Sequence, residues 1–159
     1  MRKIIFFIFI VTMLYSCRSG AGLKFSDQIV EKEKSLEPEI KKTEADVKNF
    51  VAAGRFDSMA ASSERLERLV DTRLNEIRDL KAPDLKFAED FKKDAIDYFV
   101  FIRSVYTGYV KYAKAETAEK RDEELKKVQE ILSKKDAIIK QMRDSQKKFA
   151  KENGFIIKD

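Results

Sequence analysis

By type and spacing, three groups of residues in this chain could do chemistry: one cysteine, a short run of carboxylates, and several paired lysines. The cysteine is Cys17, the single thiol in 159 residues, and the chain holds no histidine. Without imidazole there is no Ser-His-Asp or Cys-His nucleophile, no histidine-built zinc site and no Glu-x-x-His ligand pair of the di-iron bundles. The carboxylates Glu116, Glu119 and Glu123 fall on one helical face, where they could hold a hard cation or share a proton. Lys120 and Lys127 stand among them, so the face reads as solvated surface with modest i,i+4 support. Lys-Lys pairs at 41–42, 92–93, 126–127, 134–135 and 147–148 could meet phosphates, but each is flanked by acids. Glycines with phosphate-cradling spacing are missing; Gly20-Ala21-Gly22 follows the cysteine too closely to sit in a nucleotide-binding turn. The expectation is a protein that is not an enzyme and has no metal and no cofactor.

Cys17 is explained by what precedes it. Arg2 and Lys3 form a basic start, and Ile4 to Leu14 form an apolar run broken only by Thr12. That run is shorter than the ~20 residues a spanning helix needs but suits a secretory leader. Leu14-Tyr15-Ser16-Cys17 then resembles the bacterial lipobox, with a branched aliphatic, a small residue before the cut and Cys after it; Tyr15 is bulkier than usual. The resemblance implies cleavage between Ser16 and Cys17, a diacylglycerol thioether on Cys17 and acylation of the new amine. Two or three chains anchor stably, at ~0.8 kcal/mol per buried methylene, where one does not. The chain divides accordingly into a signal peptide (1–16), a lipidated cysteine with flexible tether (17–24) and a folded domain (25–159).

Composition sets the frame for that domain. Gly and Pro together occupy seven positions, and 38% of residues are charged, which favours long helices over a turn-rich sheet protein. A 43% hydrophobic share is enough for a core. The formal charge of +5 falls to +3 once Arg2 and Lys3 are removed with the leader, which argues little for a nucleic-acid partner. With one cysteine already assigned there is no disulfide framework, so packing alone must hold the fold.

Apolar spacing predicts four helices. The first runs from about Phe25 to Ala53 with Ile29, Leu36, Ile40, Val47, Phe50 and Val51 inward, Gly54 as its stop, and a kink at Pro38. The second runs from an Asp57 cap to about Lys81, carrying Met59, Ser63, Leu66, Leu69, Val70, Leu74, Ile77 and Leu80. The third, about Leu85 to Ala115, opens with Pro83 in its first turn or Asp84 as cap and has two stripes. Phe91, Ala95, Phe99, Ile102, Tyr106, Tyr109 and Ala113 face inward, and Tyr98, Phe101, Val105 and Tyr112 lie beside them. The fourth starts near Thr117 and carries Leu125, Val128, Leu132, Ile139, Met142, Gln146 and Phe149, with Asn153-Gly154-Phe155 as its stop. The predicted fold is all-α: an antiparallel up-down-up-down four-helix bundle, preceded by the lipoprotein signal peptide.

The lipobox followed by these helices, with Phe87 to Tyr106 (FAEDFKKDAIDYFVFIRSVY) and Gln146 to Gly154 (QKKFAKENG) as the clearest stretches, resembles small surface lipoproteins of Bacteroidetes and spirochaetes. That family has no assigned activity, so the resemblance implies fold and envelope location. Arg18 after the cysteine, where an inner-membrane-retained lipoprotein would resemble the enterobacterial Asp pattern, points to the outer membrane, facing periplasm or cell surface.

One feature rises above a plain bundle. Tyr98, Phe101, Val105 and Tyr112, with Arg103 at the edge, would form an aromatic patch with a basic rim, the composition favoured at protein interfaces; burial in the core is the competing expectation. The expected function is a non-catalytic, lipid-anchored envelope protein that binds another protein or serves a structural role. The alternative is a carrier or sensor with a small apolar ligand inside the bundle near Phe99 and Tyr106. In either case the membrane is reached through the lipid anchor.

Overall fold

A computed structural model describes the backbone of residues 6–157 and the side chains of residues 20–157. The architecture is all-α: α1 (Phe6–Ala52), α2 (Phe56–Asp79), α3 (Ala88–Lys114), α4 (Ala118–Leu132) and α5 (Lys135–Glu152). Among the described residues no helix is long and apolar enough to cross a membrane. Residues 1–5, with Arg2 and Lys3, and the side chains of residues 6–19, with those of Ser16 and Cys17, lie outside the described residues.

α3 is the central element and carries apolar residues around much of its circumference. It packs against α2, α4 and α5, while α1 packs against α2 and only lightly against α5. The main core joins Leu36 of α1, Leu66, Val70, Leu74 and Ile77 of α2, and Phe99, Ile102 and Tyr106 of α3. A second cluster at one end stacks Phe91 on Phe149 at 5.8 Å, with Phe25 edge-on to both and Phe155 edge-on to Phe149. Such ring pairs add about 0.5–1.5 kcal/mol each beyond their buried area. A third cluster, Val47, Met59, Ala60 and Ala113, closes the opposite end.

Several boundaries follow from local chemistry as expected. Gly54 takes φ +67° directly after α1, and Gly154 takes φ +69° after α5, where the Phe155 N–H donates to Ala150 and its ring is buried. These are left-handed stops that a β-carbon would strain. The Thr117 hydroxyl accepts from the Lys120 N–H and caps α4. At the end of α2, the Lys92 ammonium donates to the carbonyls of Arg78 and Leu80 at 2.8 and 2.6 Å, which satisfies acceptors the helix leaves open.

Other boundaries correct the sequence expectations. The 17–24 segment, expected as a flexible tether, belongs to α1: Gly22 is buried, and Leu23 packs on the second cluster. The glycine there permits contact rather than flexibility, since a β-carbon on Gly22 would lie 2.7 Å from the Phe155 ring. Pro38, expected to kink rather than end the helix, does lie inside α1; it is exposed and removes one backbone bond. α2 begins at Phe56, one residue before the expected Asp57 cap, and Asp57 instead lies in the first turn, where the helix dipole favours an acid. α3 begins later than expected, at Ala88 behind Phe87, whose φ of +62° is unusual for a side chain of that size. Lys148 places its ammonium 3.7 Å from the centre of the Phe87 ring, and cation–π attraction of about 0.5–2 kcal/mol helps hold the ring.

The expected fourth helix is two. It breaks at Ser133-Lys134, where the Ser133 hydroxyl turns back to the Glu130 carbonyl at 2.8 Å. A serine that bonds its own helix's carbonyl competes with the ladder and bends it. The break lets α4 lie on the far half of α3 while α5 reaches α1 and the near half.

Candidate functional site

Of the five residues expected to form one exposed patch, three gather and two turn away. Phe101 and Val105 are buried, at 9% and 7% exposure, as part of the main core. Tyr98 is half-buried beside them and meets Phe99 edge-on. Tyr112 packs on Phe56 at 5.9 Å in the third cluster, and Arg103 points to α2, where Nε lies 3.0 Å from Asp71. The continuous patch is therefore not present. The reason is geometric: α3 has neighbours on three sides, so most of its second stripe is covered and the remainder lies at the bottom of a cleft.

What the structure places there instead is a groove. α1 and the α4–α5 rod stand apart above α3, leaving a cleft of about 300 Å³ whose floor is Tyr98, Phe101, Ile102, Val105 and Tyr106. Glu33, Glu37, Ile40, Lys41 and Glu44 line it from α1, and Leu132, Lys135 and Ile139 from the other side. A second cleft continues it past Glu33 and Glu37 along Arg143, Gln146 and Lys147 of α5, beginning at Val30. From Val30 to Glu44 the walls run about 21 Å at 1.5 Å per residue. Phe99, expected near an internal chamber, is fully buried, and the space beside Tyr106 is this open groove.

The charges of the groove differ from those elsewhere on the same helix. On its α2 side, α1 pairs Lys32 with Glu76, Glu39 with Arg65 and Lys42 with Asp46. Among the described residues, Glu33, Glu37, Glu44, Lys41, Lys135, Arg143 and Lys147 have no ion pair within 4.0 Å. The α1 wall carries three acids, Glu33, Glu37 and Glu44, with Lys34 and Lys41, and the α5 wall is basic. Glu33 sits at the junction of the two clefts, where burial pushes its carboxyl above the usual carboxylate range; the hydrogen bond from Tyr98 and the field of Arg143 oppose that shift without cancelling it. Burial raises the Tyr98, Tyr106 and Tyr109 phenols, with Glu33 adding to the first and Glu44 to the other two, so all three stay neutral donors at ordinary pH.

Sequence reasoning did not find this acidic wall, although a signal was there: Glu33, Glu37 and Glu44 are spaced by four and seven, one face of a helix. The carboxylates it did single out are solvent-facing. Glu116 pairs with Lys120, and Glu119 is held in its charged form by backbone hydrogen bonding in the first turn of α4 and by Thr117. Among the described residues no three His, Cys, Asp or Glu side chains are placed to hold a metal ion. Comparison with protein-family models, curated proteins and solved structures gives no match for this chain.

Proposed function

We propose that this chain is a non-catalytic, lipid-anchored protein of the bacterial cell envelope, and that its groove binds a helical segment of another protein. The anchor reading is supported by the basic start, the apolar run and the Leu14-Tyr15-Ser16-Cys17 box in register, and it takes the outer membrane as the site. The bundle reading is supported by cross-helix pairs whose numbers fall on one helix as they rise on the next: Lys32–Glu76 and Glu39–Arg65 between α1 and α2, Lys114–Glu64 and Arg103–Asp71 between α2 and α3. That is the pattern of an up-down-up-down bundle with α4 and α5 as a bent fourth member.

The observation that carries the partner is the combination of apolar floor and unpaired charges of both signs along opposite walls. An amphipathic helix brings an apolar stripe flanked by charges and satisfies all three surfaces. A purely apolar small ligand would fill the floor but leave the rim charges as they are, so the ligand-carrier reading ranks second. Its support is a cleft volume near the lower end of small-molecule sites.

The experiment is site-specific photo-crosslinking in the native cells from Ile139 and Lys41, with Arg68 on the outer face of α2 as control. One discrete protein adduct from both groove positions, absent from Arg68 and lost on reversing Glu33, Glu37 and Glu44 to lysine, is expected. No adduct at either groove position, with a small molecule retained in the native mass spectrum, would turn the assignment to a ligand carrier.

A further inference from the structure

The Gly22–Phe25 stretch of α1, the α2–α3 connection and the C-terminal turn come together at one end of the molecule. Asn153 donates to the Lys86 carbonyl at 2.8 Å, and the buried Gly22 abuts the Phe155 ring. This tip holds Leu80, Pro83, Leu85 and Phe87 half-exposed and Ile156 at 85% exposure, while Ile157 turns into the near end of the second cleft. No other described large apolar residue approaches that exposure; the next is Val51 at 39%. The exposed charges on these segments are of both signs: Lys24, Lys81, Lys86 and Lys151 with Asp79, Asp84, Glu89, Asp90 and Glu152, and Lys86 lies 4.0 Å from Glu152. Exposed aliphatic and aromatic side chains with mixed charges among them suit a lipid headgroup boundary, where the apolar part enters the acyl edge and the charges stay in the headgroup layer.

The chain leaves this tip little freedom to be anywhere else. Cys17 precedes Gly22 by five residues, which is about 8 Å along a helix and at most about 17 Å fully extended. A bilayer-held Cys17 therefore brings the tip to the headgroup layer. α1 is continuous from there, so Val51 lies about 44 Å from Gly22, well clear of a membrane the helix stands on.

From these observations we propose that the tip is a membrane-contact surface: Ile156, Leu85 and Phe87 seat in the lipid interface, and the bundle stands end-on with the Lys41–Glu44 end of its groove held away from the bilayer. The proposal rests on the lipid-anchor reading of Cys17.

The chain has no tryptophan, so a single introduced one reports its own depth. The acylated mature protein, residues 17–159, is reconstituted in vesicles of brominated phosphatidylcholine and phosphatidylglycerol, carrying either Ile156→Trp or Val51→Trp. Both sites are exposed, and circular dichroism checks that the helices remain. Severalfold quenching with a blue shift at position 156, and unquenched emission at position 51, is the expected result. Acylated protein unquenched at 156, or quenched equally at both positions as in a bundle lying flat, overturns the end-on contact while leaving the anchor intact. A mass spectrum showing Cys17 without acyl chains overturns the anchor reading, and this surface with it.

Discussion

The Val128 side chain occupies the place where a β-carbon of Gly108 would stand: Cγ2 lies 2.6 Å from that position. Gly108 is buried in the C-terminal third of α3, and Val128 is the single fully buried side chain of α4. The α3–α4 contact is therefore built on a missing methyl group.

Gly108→Ala pits two effects against each other. Alanine gains up to about 1 kcal/mol of helix propensity, but overpacking costs about 1–3 kcal/mol, and a β-branched valine in a helix has little χ1 freedom to yield. We expect net destabilisation in urea unfolding. A double-mutant cycle with Val128→Ala should show favourable coupling, because the smaller side chain removes the clash. Simple additivity of the two single changes would contradict the close approach.

Gly22→Ala makes a related test at the second cluster, where the obstacle is the Phe155 ring at 2.7 Å. The C-terminal turn should loosen while the main core holds. Amide exchange should therefore quicken at Phe155 and at the end of α5, and far less in α2. Uniform slow exchange in the variant would show that the ring moves aside at no cost.

Glu33→Gln bears on the groove and on pH together. The folded carboxyl is raised, so the folded state holds its proton to higher pH than the unfolded state does. Stability from this group is then greatest below the unfolded value and declines as pH rises through the folded one. Glutamine removes that penalty. The variant should be more stable than the parent at neutral pH, and the gain should vanish in acid below the unfolded carboxylate pKa. A gain that grows toward low pH would have the wrong sign. Glu76, lowered by Lys32 and Arg73, behaves oppositely: its contribution is present above the unfolded value and disappears as pH falls through the folded one.

Pro38→Ala should stabilise. The helix already runs through this exposed position, so alanine restores one backbone bond and removes the ring's clash with the preceding turn. A gain of about 1–3 kcal/mol is expected from the usual penalty of a mid-helix proline. Thermal unfolding of the variant measures it, and an unchanged midpoint would mean the neighbouring turn had already relaxed around the ring.

How much of this was legible in the residues varies with the range of the interaction. Apolar spacing was enough to find the inward stripes of α2 and α3, because each needs only its own helical period: Leu66, Val70, Leu74 and Ile77, and Phe91, Ala95, Phe99, Ile102 and Tyr106, are all buried. The stops at Gly54 and Gly154 and the Thr117 cap were likewise local, being set by one residue's allowed backbone angles or one side-chain oxygen. Partnership was not legible. Phe101 and Val105 have the same types and spacing whether covered or exposed, and only the approach of α4 and α5 to α3 decides that they are covered. Gly22 looks like a tether glycine until Phe155, far along the chain, comes to rest against it. Glu33, Glu37 and Glu44 could be read as a solvated stripe; the gap between α1 and α4–α5 makes them a wall. Periodicity records what each helix can bury, and the tertiary structure alone decides which neighbour buries it and where none does.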